Sequence, residues 1–181
     1  MIKTVKFRPQ WWAEQAKPDL NVAVISITSP GDEPAKIQNG FHDVLRVAFD
    51  DLYEETLKET VGDVPDLCPK GPVYWHGLLL PNYDHAKEII QFLDELVCDH
   101  VIVHCHAGVS RSAAVAQFIV DHYGARLDQG NFCDTACMNK RVYRLMKKVH
   151  SGEKPKIGHY IPRDEYDDIE VAWKRTLKER D

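Results

Sequence analysis

Apolar positions along the chain follow two periods. Asn21 to Thr28 (NVAVISIT) is rich in β-branched residues and reads as a buried strand. Ser29-Pro30-Gly31 then ends it with turn chemistry. Thr4 to Phe7 and Val44 to Phe49 are further strand candidates. In the second, the two-residue period puts Leu45, Val47 and Phe49 on one face. Val101 to Val103 is a short, wholly apolar strand. Helical spacing governs other stretches. Pro9 fits a helical first turn that Trp11 to Ala16 continues. Over Asp84 to Val97 the stripe is Ala86, Ile89, Ile90, Leu93 and Val97. Over Asn139 to Val149 it is Val142, Leu145, Met146 and Val149, with Gly152 as the cap. Ser112 to Tyr123 is apolar nearly all round, so it reads as a buried helix closed by Gly124.

Two regions break this regularity. In residues 52–81 a short helix from Leu52 to Val61 is stopped by Gly62, and Pro65, Pro69, Gly71, Pro72 and Pro81 follow. That segment reads as an insertion or a functional flap. After Lys154-Pro155, residues 163–179 form a charged helix with a sparse stripe of Tyr166, Ile169, Trp173 and Leu177. The chain therefore reads as one domain over 1–152, with a C-terminal helical extension over 153–181. Strands alternating with helices predict an α/β layered fold around a mostly parallel sheet, whose ligands bind at the carboxyl ends of its strands.

Composition narrows the function. The chain has 181 residues, 44% hydrophobic and 28% charged, an ordinary balance for a folded domain. A formal charge of −5 argues against a broad electrostatic grip on nucleic acid, so an anion site must be built locally. No apolar run reaches the roughly 20 residues that span a bilayer, so no membrane association is expected. Met1 to Trp12 lacks the features of a secretory signal, and the expected location is cytoplasmic. Five scattered cysteines (Cys68, Cys98, Cys105, Cys133 and Cys137) do not form a disulfide framework. They leave room for a free nucleophilic thiol.

The candidate chemistry lies in His104-Cys105-His106-Ala107-Gly108-Val109-Ser110-Arg111-Ser112, between the apolar strand and the buried helix. A sharp strand-to-helix turn points successive N–H groups into one concavity, and the helix dipole adds positive potential there. Gly108 supplies a backbone able to take unusual dihedrals. Such a nest holds a phosphate-sized dianion. The planar fork of Arg111 binds two phosphate oxygens side by side. Cys105 lies at the opposite lip, where the positive field favours its thiolate, an in-line nucleophile under a bound phosphate. The hydroxyl of Ser112 is placed to hydrogen-bond that sulfur, and His104 to orient the loop through backbone contacts. The competing readings are plain: Cys105 as a small buried hydrophobe, Arg111 as a surface charge. Adjacent residues of one tight loop do not converge on one ion, so His104, Cys105 and His106 are not read as a metal site. Cys133 and Cys137 lack further ligands at zinc spacing and read as half-buried thiols.

The segment HCHAGVSRS resembles the signature of cysteine-based protein tyrosine phosphatases, H-C-x-x-x-x-x-R. Its A-G-x-S-R-S ending is similar to the dual-specificity subfamily. The likeness extends over residues 84–104 and the helix AAVAQFIV, more weakly over 20–51, and not over the insertion or the tail. It implies a three-layer phosphatase-type fold, with a central mostly parallel sheet of about 4–5 strands flanked by helices. It also implies a phosphocysteine intermediate at Cys105, and a substrate phosphate held by Arg111 and by His106, Ala107, Gly108, Val109 and Ser110. No cofactor is required. The general acid of such enzymes is an aspartate just after the strand that resembles Val44 to Phe49. Alternation places Asp51 on the inner side of that strand, so Asp51 is preferred, then Asp50. The competing role for Asp51 is a helix cap with Glu54. Asp63, Asp66 and Asp84 remain candidates, Asp84 more naturally as an N-cap.

Members that act on phosphoinositides tend to carry lysine in this loop, and this loop has none. The expected substrate is a phosphorylated protein or peptide, with phosphotyrosine at least accepted. The alternatives are a phosphatase of RNA 5′ ends or lipid head groups, and a phosphate-binding adaptor. Lys140, Arg141, Arg144, Lys147 and Lys148 form a basic run that reads as a solvated helix face.

Overall fold

The computed structural model describes residues 1–52, 69–70, 72, 74–75, 77–130, 132–154 and 156–157. Nine strands and four helices are assigned among them. The strands are β1 (Thr4–Pro9), β2 (Val22–Thr28), β3 (Val44–Ala48), β4 (Pro69–Lys70), β5 (Tyr74–Trp75), β6 (Leu78–Leu79), β7 (His100–Cys105), β8 (Arg126–Leu127) and β9 (Lys156–Ile157). The helices are α1 (Gln10–Gln15), α2 (Tyr83–Glu95), α3 (Arg111–Tyr123) and α4 (Lys140–His150). The main sheet has five strands in the order β3-β2-β7-β1-β8, and every pairing in it is parallel. The expected α/β architecture is therefore present. Two short pairs lie apart from this sheet, β4 with β9 and β5 with β6.

Alternation along β7 explains its central place. Val101, Val103 and Cys105 face a core built with Val5 and Phe7 of β1, Ile25 and Ile27 of β2, and Val47 of β3. Helices α2, α3 and α4 cover that face through Ile89, Phe118 and Leu145. Burying each of these side chains contributes about 1.5–3 kcal/mol. Ile102 points the other way, into a smaller cluster with Val24 and Phe41 under Trp12 and Ala16. A parallel sheet covered on both faces is the usual arrangement for strands this apolar.

Several sequence expectations are corrected. Pro9 is the last residue of β1, paired with Cys105, and the helix begins at Gln10. Helix α2 is capped by Asn82, whose side chain accepts from the Asp84 and His85 amides, so Asp84 lies in the first turn and is not the cap. It stops at Glu95, which leaves Val97 81% exposed. Arg141 is buried, because it lies one turn before Leu145 on the inward side of α4. Strand β8 and the short strands between 69 and 79 were not foreseen. The helix expected from Leu52 to Val61 and the charged C-terminal helix lie outside the described residues.

Candidate active site

The loop after β7 is positioned by β1. Pro9 sits opposite Cys105 in the sheet, and the Gln10 amide donates to the His106 carbonyl at 3.2 Å. Gly108 has φ +69°, and a Cβ there would lie 2.2 Å from the Pro9 nitrogen and 2.3 Å from the Arg8 carbonyl carbon. Only glycine meets both conditions. The loop is thus pressed against the junction of β1 and α1. His106 and Ala107 are exposed at its rim, Val109 is half-buried, and Gly108 and Ser110 are buried.

Cys105 and Ser112 are brought together as expected. Their Sγ and Oγ atoms lie 3.2 Å apart, and both residues are buried. Arg111 is 5% exposed and held from one side. Its Nη1 donates to the Phe49 carbonyl at 2.7 Å and to Ser29 Oγ at 3.2 Å. Its Nε is buried and has no hydrogen-bond partner among the described residues. One arm of the fork is anchored by the protein, and the Nε donor faces Asp51 Oδ2 at 3.9 Å. Ser110, at the N-cap of α3, makes no side-chain cap bond, because its hydroxyl donates to Asp51 Oδ1 at 2.7 Å. The first amides of α3 are left to an anion, as helix N-termini commonly are.

Asp51 reaches this loop from the end of β3. Its Oδ1 also accepts from Asn139 Nδ2 at 2.7 Å, and its Oδ2 lies 3.9 Å from Arg111 Nε. Its side chain keeps 27% of its surface exposed. Asp50 has a different task. Its carboxylate accepts from the Leu79 amide at 2.7 Å and its own amide donates to the Leu79 carbonyl. Asp84 is exposed on α2. Asp63, Asp66 and Glu54 lie outside the described residues.

The ring of His104 is fully buried, and neither of its nitrogens has a hydrogen-bond partner among the described residues. Burial, reinforced by the positive charge of Arg46, pushes its pKa down to about 4. The ring is a neutral filler beneath the nucleophile strand. Cys133 is half-buried, with its thiol 3.8 Å from the Gly108 carbonyl, and Cys137 is exposed. Cys98, Cys105, Cys133 and Cys137 are free thiols.

Asn139 was missed as a site residue. Besides Asp51, its Nδ2 bonds the Leu52 carbonyl at 3.0 Å, its amide bonds the Ser110 carbonyl, and its Oδ1 caps α4 by accepting from the Val142 amide. An asparagine just before an amphipathic run is a readable cap signal. Its contact with Asp51 is not readable from local sequence.

The arrangement offers a buried thiol, a half-anchored guanidinium, uncapped helix amides and a partly open carboxylate at one end of the sheet. That set can bind a tetrahedral oxyanion, attack it and deliver a proton. The chain matches no protein-family model, no curated protein and no solved structure. No described helix is long and apolar enough to cross a membrane.

Proposed function

We propose that this chain is a cysteine-dependent phosphatase acting on phosphotyrosine in proteins, and on phosphoserine or phosphothreonine where the pocket admits them. The observation that carries the reading is the turn that joins Cys105 to Arg111, with Ser112 Oγ 3.2 Å from the sulfur, Asp51 bound to the same turn through Ser110, and Asp51 Oδ2 3.9 Å from Arg111 Nε. The phosphate of the substrate enters the loop and meets Arg111 Nε and the amides of α3. The Cys105 thiolate attacks phosphorus, and the bond to the leaving oxygen breaks as Asp51 gives that oxygen its proton. Water then attacks the phosphocysteine and Asp51 takes a proton back. The departing sulfur is stabilised by the Ser112 hydroxyl. Arg111 and the amides hold the equatorial oxygens through both steps. Such a thiol requires a reducing compartment, which a cytoplasmic location supplies.

The test is turnover of para-nitrophenyl phosphate and of a phosphotyrosyl peptide. Cys105→Ser should lose turnover while still binding sulfate, a phosphate analogue that forms no bond to the nucleophile. Asp51→Asn should slow hydrolysis by about 10²–10⁴-fold, the usual weight of one general acid. Hydrolysis retained by purified Cys105→Ser would end the proposal.

A further inference from the structure

We propose that Trp11 is a substrate-recognition residue that receives an apolar side chain flanking the phosphorylated residue of a peptide. This rests on the phosphatase reading and adds to it a recognition surface outside the phosphate loop.

Among the described residues, the large apolar side chains left exposed are Met1, Trp11 at 60%, Leu20, Leu78 and Val97. Met1, Leu20 and Val97 precede β1, β2 and β7, at the end of the sheet away from the loop. Leu78, 36% exposed, lies on β6 outside the main sheet. Trp11 has the largest of these side chains. It follows β1 at the carboxyl end, one residue after the amide that bonds His106. Since Pro9 pairs with Cys105, the Trp11 backbone lies within about 12 Å of the nucleophile's backbone, from strand spacing and chain reach. An extended peptide covers that distance in about three residues. Phe7, Phe41, Phe49 and Phe118 are buried and Trp12, Tyr83, Phe92, Tyr123, Phe132 and Tyr143 are half-buried, whereas the Trp11 indole stands exposed beside the candidate catalytic loop.

The chemistry at this rim selects the occupant. Arg8 is already engaged: its guanidinium stacks 5.3 Å from the Trp12 ring and 5.1 Å from the Phe132 ring, and Nη1 donates to Gln129 Oε1 at 2.8 Å. It is tied to the protein and not presented to a polyanion. The net charge of −5 likewise disfavours a phosphoinositide head group or an RNA strand. An aliphatic or aromatic side chain of a peptide is the partner that gains from such a surface.

The experiment compares wild type, Trp11→Ala and Trp11→Phe on three kinds of substrate. These are para-nitrophenyl phosphate, a phosphotyrosyl peptide with glycine and serine flanks, and a peptide set placing one Leu or Phe at each position within three residues of the phosphotyrosine. In wild type, at least one apolar flank should lower KM. Trp11→Ala should raise KM for that peptide by about five- to tenfold, the worth of one partly buried ring. Its kcat, its turnover of para-nitrophenyl phosphate and its vanadate affinity should stay within twofold, and Trp11→Phe should recover most of the loss. An equal effect on all substrates, no effect on any, or a selective loss on a phosphoinositide or triphosphorylated RNA instead would overturn the inference. A wild-type protein that hydrolyses none of these esters would overturn the phosphatase reading itself, and the inference with it.

Discussion

Asn139 Nδ2 lies 2.7 Å from Oδ1 of Asp51, across 88 positions of sequence. The same oxygen accepts from Ser110 at 2.7 Å. Two donors on one oxygen fix the carboxylate's rotation and direct Oδ2 toward Arg111. The candidate acid is therefore aimed by α4 and the phosphate loop as well as by its own strand.

Asn139→Ser separates this aiming from helix capping. Serine keeps a cap for α4 but gives up the bond to the Leu52 carbonyl, so stability should fall by about 1–3 kcal/mol. Its hydroxyl falls short of Asp51, and kcat for a phosphotyrosyl peptide should drop about tenfold, below the full weight of a general acid. The loss on para-nitrophenyl phosphate should be smaller, because that leaving group needs less protonation. Steady-state kinetics on the two substrates, with a urea melt, checks the prediction.

Arg111→Lys keeps the charge and removes the fork. The Phe49 carbonyl and Ser29 Oγ lose their donor, and the ligand loses the geometry of Nε. Charge-assisted hydrogen bonds are worth about 1.5–3 kcal/mol each, so vanadate affinity should fall about 10²-fold. Calorimetric titration would measure it.

Gly108→Ala and Gly124→Ala form a matched pair. Both glycines have φ +69°, but a Cβ at 108 strikes the backbone of Arg8 and Pro9 while one at 124 meets open space. Gly124→Ala should cost only the left-handed backbone penalty, about 1–2 kcal/mol. Gly108→Ala should cost more, each further kcal/mol lowering Tm by about 2–4 °C at this size. It should also weaken vanadate binding, which Gly124→Ala leaves intact.

His104 gives a pH dependence with a definite sign. Its folded pKa is depressed to about 4, below the ordinary value of 6.5. Between these values the unfolded chain binds the extra proton, so acidification through this window destabilises the fold. The loss approaches about 3 kcal/mol at pH 4. His85 and His122 are also depressed by burial, so the His104 share must be isolated by difference. The stability profile of His104→Gln should be flatter than that of wild type from pH 6.5 down to 4.

The sequence made the local parts of the site legible. An apolar β-branched strand, a glycine turn and an all-round apolar helix placed Cys105, Arg111 and Ser112 together, and alternation carried Asp51 inward from Phe49. Interactions that depend on distant packing were not legible. Asn139 resembles any helix cap until α4 is docked beside the loop. Arg141 belongs to a basic run, yet its turn of α4 faces inward. Strand β8 has two residues, too few to show a period, and its pairing with Thr4 and Val5 is a tertiary fact.

The placing of β7 between β1 and β2 has a kinetic consequence. Its partners are Thr4 to Pro9 on one side and Val22 to Ser26 on the other, contacts that close loops of 96 and 78 residues. Loop closure precedes any gain from pairing, and topologies dominated by distant contacts assemble slowly. β2 can pair early with the nearby β3, but the β1 segment must wait for β7, and during that interval it is exposed to self-association.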